Sequence, residues 1–218
     1  MNLSEYPRRD ILENATEVTS IGSCAAEDGV QFQPVVPAAT VECDPVILPT
    51  PVSDNRKVQT RYSHPPLFCA RVPRATVVGK GFVIDASQTL MLSPQLALDD
   101  TALANPRRRT TNANWHSLAE TDTASLRQRH VSGSAILLAS IGEHIWGHWL
   151  LDILPRLFLS RMCRLPAAKI LISCESRVSA KELLELAGIA REDIVEYDPA
   201  SDAVYCDELF VPSLCRTG

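Results

Sequence analysis

The chain has 218 residues, of which 45% are hydrophobic, and this is enough for one full domain with a core. Its formal net charge of -5 gives no broad attraction to phosphate backbones or anionic lipids, so the composition argues against binding of nucleic acid or of a membrane surface. No apolar run reaches the ~20 residues of a membrane helix, and the N-terminus lacks the basic start and apolar block of a signal peptide. A cytoplasmic protein is the expectation.

The seven cysteines are widely spaced and include no Cys-x-x-Cys pair. This pattern predicts neither a disulfide framework nor a cysteine zinc site. Cys163, Cys174 and Cys206 lie in or beside apolar segments, so we expect them to be small buried side chains in a reducing compartment.

Residues 1–66 contain eight of the fifteen prolines and show little hydrophobic periodicity. Proline cannot donate to a strand ladder or continue a helix, so this segment is predicted to be extended or disordered, with a short strand at 46–48. Residues 67–218 are predicted to form an α/β domain. It opens with a small β-meander, in which residues 75–85 supply two strands around Gly79-Lys80-Gly81 and residues 89–92 a third. Residues 99–133 are polar and turn-rich, which predicts a long loop.

The rest of the chain alternates between apolar runs and helical segments. Buried strands are predicted at 135–139 and 169–173, and further strands at 194–197 and 208–211. Ser179 and Glu182 fit a capping box that opens a helix ending before Gly188. This order predicts a Rossmann-like parallel sheet with crossover helices, whose ligand crevice lies at the carboxyl ends of the strands. The loop at 140–147 would lie at that edge.

The segment from Gly142 to Leu157, which overlaps this loop, combines ionisable and aromatic side chains in a mostly apolar helix. His148, Asp152 and Arg156 are spaced four residues apart, so in a helix they form one polar row among apolar neighbours. The purely structural alternative is an ordinary helix ion pair between Asp152 and Arg156, worth about 0.3–0.5 kcal/mol at a surface.

The same segment resembles the signature of the glycosyltransferase family 61 proteins. The resemblance is carried by His148-Trp149-Leu150-Leu151-Asp152 and by Leu154-Pro155-Arg156-Leu157, whereas Ile145 stands where the family usually has asparagine. Members transfer a sugar from a nucleotide-sugar donor, with inversion, to a glycan or polysaccharide acceptor. The resemblance implies half of a GT-B architecture, with residues 67–218 as the N-terminal, acceptor-side half. We therefore expect a fragment, or a chain completed by a partner, that is inactive without a second, donor-binding domain.

Inverting sugar transfer needs a base that takes the proton from the acceptor hydroxyl as it attacks the sugar. His148 suits this role because an imidazole is mostly neutral near pH 7, and Asp152 would orient its ring. The reverse assignment, with Asp152 as the base, stays open. Arg156 would bind an acceptor anion or neutralise Asp152. His144 and Trp146, in the loop, are the candidate substrate-binding residues, with Trp146 stacking on a sugar or base.

Two alternatives from other classes remain. The first is a catalytically silent binding or assembly module, in which the polar row is structural. The second is a metal-dependent hydrolase that uses His144, His148 and Asp152 as ligands. The leading interpretation needs neither a metal nor another cofactor, and no Gly-x-Gly-x-x-Gly or Walker loop is present.

Overall fold

The computed structural model describes residues 18–20, 29–42, 61–64, 66–86, 90–92, 126–140, 142–176 and 178–213. Its strands are β1 (Val18–Ser20), β2 (Gln31–Val36), β3 (Ala39–Glu42), β4 (Arg61–His64), β5 (Leu67–Val78), β6 (Phe82–Ile84), β7 (Leu90–Leu92), β8 (Arg127–Leu137), β9 (Lys169–Ser173), β10 (Ile194–Tyr197) and β11 (Asp202–Pro212). Helix α1 consists of three consecutive segments, Trp146–His148, Trp149–Ile153 and Leu154–Met162. Helix α2 is Val178–Leu186, and a single 3-10 turn covers Arg191–Asp193.

Within the described residues, nine strands form one sheet in the order β1-β7-β6-β5-β11-β8-β9-β10, with β2 also paired to β5. Strands β11, β8, β9 and β10 are parallel to one another. On its other side β11 pairs with β5 in antiparallel orientation, and β5, β6 and β7 form the predicted meander. The fold is therefore α/β, as predicted, but the sheet is mixed and rich in strands.

The parallel strands agree best with the prediction. Strand β9 has the predicted bounds, and β10 covers the predicted 194–197. Helix α2 begins at Val178, so Ser179 lies inside its first turn and the capping box predicted from Ser179 and Glu182 is wrong. The predicted stop is confirmed, because the helix is closed by Gly188, whose φ is 83°. The Ile189 N–H donates to the Leu184 carbonyl at 3.0 Å, which is the hydrogen bond of a Schellman stop.

The end of the predicted loop at 99–133 is wrong, because β8 begins at Arg127. Its polar residues face partners on β11: the Arg127 Nε donates to Asp202 at 2.7 Å, and the His130 Nε2 lies 2.7 Å from Asp207. Gly133, with a φ of 76°, lies at an irregularity in the pairing of these two strands. The remainder of that predicted loop, and the strand predicted at 46–48, lie outside the described residues.

Described parts of the Pro-rich segment form strands. Strand β2 pairs with β5, and Val30 just before it is buried in the core, while β3 and β4 form a separate two-stranded sheet. The predicted domain boundary at 66/67 stays a prediction.

The core lies on both faces of the sheet. Helices α1 and α2 cover one face, where their buried residues pack against alternate residues of β8, β9 and β11; this cluster includes Leu138, Trp149, Ile153, Leu157, Ile170, Ile172, Leu184 and Phe210. The other face carries a cluster that includes Val72, Val77, Leu137, Leu171, Val204 and Leu209. Because successive strand residues point to opposite faces, strands buried on both sides read as continuous apolar runs.

Cys163 and Cys206 are buried, as predicted, but Cys174 is exposed. It follows the last residue of β9, where the strand has left the packed part of the sheet. No helix in the described parts of the chain combines the length and apolar character needed to cross a membrane.

Candidate functional site

The candidate site lies where β8 and β9 end. After β8, residues 138–140 and 142–145 lead to α1, whose first residue is Trp146. Gly142 has a φ of 94°, a left-handed conformation that favours glycine, and it turns the chain back toward the helix. The predicted position of this loop at the carboxyl edge of the parallel strands is confirmed.

His148 and Asp152 form a hydrogen-bonded pair on the first turns of α1. The Nδ1 of His148 lies 2.5 Å from Oδ2 of Asp152, which is fully buried, whereas the His148 side chain is 31% exposed. An ionised Asp152 requires a proton on Nδ1, so the lone pair of the neutral ring is then on Nε2. The pair thus combines a buried orienting carboxylate with a partly accessible imidazole.

Gly142 packs against the His148 ring. A Cβ at this glycine would lie 3.0 Å from Cδ2 and 3.1 Å from Cγ of His148, so an alanine would push the ring away. The imidazole is consequently held from two sides, by Asp152 through a hydrogen bond and by the Gly142 backbone through contact.

Glu143, next to Gly142, is buried and collects hydrogen bonds from both strand ends. Its Oε1 accepts the Ser140 N–H at 2.5 Å, and its Oε2 accepts the N–H and the Oγ–H of Ser173, both at 3.0 Å. The Ser176 hydroxyl also donates to Oε2. Burial raises the pKa of the Glu143 carboxyl, and the hydrogen bonds from Ser176, Ser140 and Ser173 oppose that shift. The side chain joins the loop after β8 to the end of β9.

Arg156 does not extend the pair into an exposed row of three. It is 1% exposed, and its guanidinium donates to three main-chain carbonyls: Nε to Pro212 at 3.0 Å, Nη1 to Leu138 at 3.2 Å and Nη2 to Leu137 at 2.8 Å. These carbonyls belong to the carboxyl ends of β8 and β11. The structure thus gives Arg156 an anchoring role instead of the anion-binding role expected from the sequence.

A π-helical segment explains why the row is interrupted. Residues Trp149–Ile153 are π-helical, and the Leu154 N–H donates to the Trp149 carbonyl, five residues earlier. Pro155 follows directly and has no N–H to continue the α-helical pattern. A wider turn rotates the residues that follow it relative to those before it, so a strict four-residue spacing no longer gives one straight row.

The remaining predicted residues lie at the start of α1. His144 and Trp146 are both exposed, whereas the Trp149 ring is buried and its Nε1–H donates to the Glu143 carbonyl at 2.8 Å. Among the described residues no three His, Cys, Asp or Glu side chains gather as a metal site. The proposed ligand set of His144, His148 and Asp152 therefore lacks the required geometry, because His144 precedes the helix and does not share its four-residue spacing.

The hairpin between β5 and β6 lies beside this loop. A Cβ at Gly81, whose φ is 85°, would collide with the Ala139 carbonyl oxygen, so only glycine permits the approach. Tyr197 fixes the hairpin by accepting the Gly81 N–H at 3.1 Å and donating to the Gly79 carbonyl at 2.7 Å. Lys80, on the same turn, pairs with Glu175 at 2.7 Å.

Comparison of the chain with protein-family models, curated proteins and solved structures finds no match. Sequence reasoning missed Glu143 and the serines that bind it. The available signal was an acidic residue beside a glycine in a loop that directly follows the apolar run at 135–139.

Proposed function

We propose that this chain is a glycosyltransferase-like protein that promotes inverting transfer of a sugar from a nucleotide-sugar donor to a glycan or polysaccharide acceptor. The single observation that supports this most is the His148–Asp152 pair, in which a buried carboxylate orients a partly exposed imidazole at the carboxyl edge of parallel strands. The resemblance of this segment to glycosyltransferase family 61 supplies the reaction class.

In the proposed reaction, Nε2 of His148 takes the proton from the acceptor hydroxyl while the hydroxyl oxygen attacks the anomeric carbon of the donor. The bond from that carbon to the phosphate oxygen of the nucleotide breaks, and the nucleotide leaves with the electron pair. Asp152 keeps Nδ1 protonated and stabilises the imidazolium that forms. The reverse assignment is less suitable, because the Asp152 side chain is fully buried, whereas that of His148 is 31% exposed. The exposed Trp146 is the residue we assign to stacking on the acceptor, with His144 beside it.

We also propose an arrangement of domains. The parallel strands β11, β8, β9 and β10 would be the Rossmann-like layer of an acceptor-side half in a GT-B arrangement. The nucleotide-sugar would then bind to a second α/β half or to a partner chain. No phosphate-binding glycine motif is present in the sequence, which is consistent with a donor site elsewhere.

The test is a transfer assay with a panel of nucleotide-sugar donors and glycan acceptors, read by mass spectrometry of the products. It is run on the 218-residue chain and on the chain extended by any coding sequence that follows Gly218. His148→Ala should lower turnover about 100-fold or more, because a general base contributes that much or more.

His130→Ala is the matched control. His130 is also paired with a carboxylate, Asp207, at 2.7 Å, but it is exposed and lies on the body of β8. Its replacement should leave turnover unchanged. Where the wild-type protein transfers sugar, equal turnover in wild type, His148→Ala and Asp152→Asn would show that the His148 pair is structural.

A second candidate is a catalytically silent assembly module. The observation that favours it is the apolar outer surface of α1 and its preceding residue, which exposes Ile145, Trp146, Leu150, Leu151, Phe158 and Met162. An open apolar cavity of about 250 Å³ lies along the same helix, lined by residues that include Leu150, Leu154 and Phe158. This candidate predicts no binding of nucleotide-sugar or glycan by calorimetry, together with self-association that Leu151→Glu abolishes in sedimentation experiments.

A further inference from the structure

We propose that Glu143 is a positioning residue for His148: its buried carboxylate fixes the loop whose Gly142 packs against the imidazole. The catalytic consequence rests on the proposed function. The positioning itself is a property of the folded chain and can be measured without any sugar transfer.

The first link is between the loop and the sheet. Both oxygens of Glu143 accept main-chain N–H groups, Oε1 from Ser140 after β8 and Oε2 from Ser173 at the end of β9. The hydroxyls of Ser173 and Ser176 add two further donors to Oε2. With a side chain exposed by only 2%, Glu143 has no water to replace these partners. Glu143 therefore ties the loop after β8 to the end of β9.

The second link is between the loop and the helix. The main-chain carbonyl of Glu143 accepts the Nε1–H of Trp149 at 2.8 Å, and Trp149 directly follows His148. On the other side of Glu143, Gly142 lies in contact with the His148 ring. A displacement of Glu143 therefore moves both the backbone against which the imidazole packs and the turn that carries it.

An amide cannot replace this carboxyl group. In one orientation of a glutamine its NH2 group would face the Ser140 N–H, and in the other it would face the Ser173 N–H. Glu143→Gln keeps the size and shape of the side chain but leaves a buried donor facing a donor. This makes it the sharpest variant for the test.

The experiment is long-range 1H–15N correlation NMR of the histidine rings, with His148 assigned from the spectrum of His148→Ala. In Glu143→Gln the His148 ring signals should move and broaden. Asp202→Asn is the matched control, because Asp202 is an equally buried carboxylate at the opposite edge of the parallel strands. It should leave the His148 signals unchanged even though it also weakens the fold.

A milder pair of variants covers the case in which Glu143→Gln does not fold. Ser176→Ala removes one hydroxyl donor from Glu143, whereas Ser160→Ala removes a buried hydroxyl that donates to the Leu157 carbonyl at 2.6 Å. Only Ser176→Ala should shift the His148 signals. Unchanged His148 signals in Ser176→Ala, or in folded Glu143→Gln, would overturn the inference.

Activity separates this inference from the proposed function. Where transfer is measured, Glu143→Gln should lower kcat about 10- to 100-fold, because it displaces the base. If His148→Ala transfers sugar as well as wild type does, the proposed function fails, although the NMR result stands. If His148→Ala is inactive but Glu143→Gln shows wild-type kcat and His148 signals, only the positioning role fails.

Discussion

The two edges of the parallel strands each contain a buried carboxylate, and the two are held in different ways. At the carboxyl edge, Glu143 accepts only from neutral donors, namely main-chain N–H groups and serine hydroxyls. At the amino edge, Asp202 accepts from the Asp198 N–H and from the guanidinium groups of Arg127 and Arg129. Burial dominates at Glu143 and raises its pKa. At Asp202 burial acts in the same direction, but the hydrogen bonds and the arginine charges outweigh it and lower the pKa.

The two edges differ in whether the hydrogen-bond partners of the buried carboxylate can be rehydrated when that carboxylate is removed. The Arg127 side chain is 68% exposed and that of Arg129 is 35% exposed, so both can return to water. The partners of Glu143 are buried with it, and so is Arg156, which binds three carbonyls at the same edge. The edge that carries His148 is therefore fixed by groups that have no alternative partners, which is the arrangement that holds a side chain in one geometry.

The largest expected loss of stability comes from Arg156→Lys. A lysine keeps the charge but cannot reach three carbonyls with one ammonium group, so we expect the free energy of unfolding to fall by about 3 kcal/mol or more. Urea denaturation followed by circular dichroism measures it. Arg161→Lys is the control, because Arg161 is exposed and donates to the Ala187 carbonyl. Similar small losses in both variants would contradict the anchoring role of Arg156.

The direct comparison of the edges is Glu143→Gln against Asp202→Asn. We expect Glu143→Gln to cost about 2–3 kcal/mol, because a buried donor is left facing a donor. Asp202→Asn should cost about 1–2 kcal/mol, because its exposed arginines rehydrate. Both values come from urea denaturation at pH 7. An equal or larger loss in Asp202→Asn would show that the counter-charges, and not the buried neutral donors, dominate.

The sequence predicts the parallel part of the fold well, because its signals are local. The run at 169–173 has an apolar centre at 170–172 and is flanked by turns, and Gly188 ends α2 where a left-handed residue is required. The polar start of β8 was not predictable in this way. Arg127 and His130 belong to a strand because their partners Asp202 and Asp207 lie 75 and 77 residues later in the chain.

In the candidate site, too, the contact between residues close in sequence could be predicted, whereas the contacts with distant residues could not. The spacing of four residues between His148 and Asp152 predicts their hydrogen bond, since both lie within two turns of one helix. Arg156 follows the π-helical segment and meets carbonyls of β8 and β11, and that contact depends on how the helix packs on the sheet. Glu143 acts through Ser173 and Ser176, which are 30 and 33 residues away.

The pH dependence of stability should have opposite signs at the two edges. The folded state raises the pKa of Glu143 above its ordinary value of 4.5, so it holds the proton of this carboxyl more tightly than the unfolded state does. The resulting contribution to the free energy of unfolding is fully present below pH 4.5 and is lost as pH rises. The folded state lowers the pKa of Asp202, so its contribution is present at neutral pH and is lost as pH falls below its ordinary value of 3.8. Urea denaturation across pH 3 to 7 tests both.

Relative to wild type, the loss of stability in Glu143→Gln should grow as pH falls toward 4.5, while the loss in Asp202→Asn should shrink as pH falls below 3.8. Parallel curves for the two variants would mean that the neutral donors stabilise the Glu143 carboxylate as fully as arginines stabilise Asp202.

The smallest effect is expected for the exposed pair of His130 and Asp207. Hydrogen bonds from the Gly133 N–H and from His130 hold the pKa of Asp207 below its ordinary value, but the side chains of His130 and Asp207 are both exposed. Asp207→Asn should therefore leave the free energy of unfolding unchanged within error at pH 7, because water replaces the lost partners. The His130–Asp207 distance of 2.7 Å is close to the 2.5 Å between His148 and Asp152, but neither His130 nor Asp207 is buried. A clear loss of stability in Asp207→Asn would show that such a pair stabilises the fold even where water reaches it.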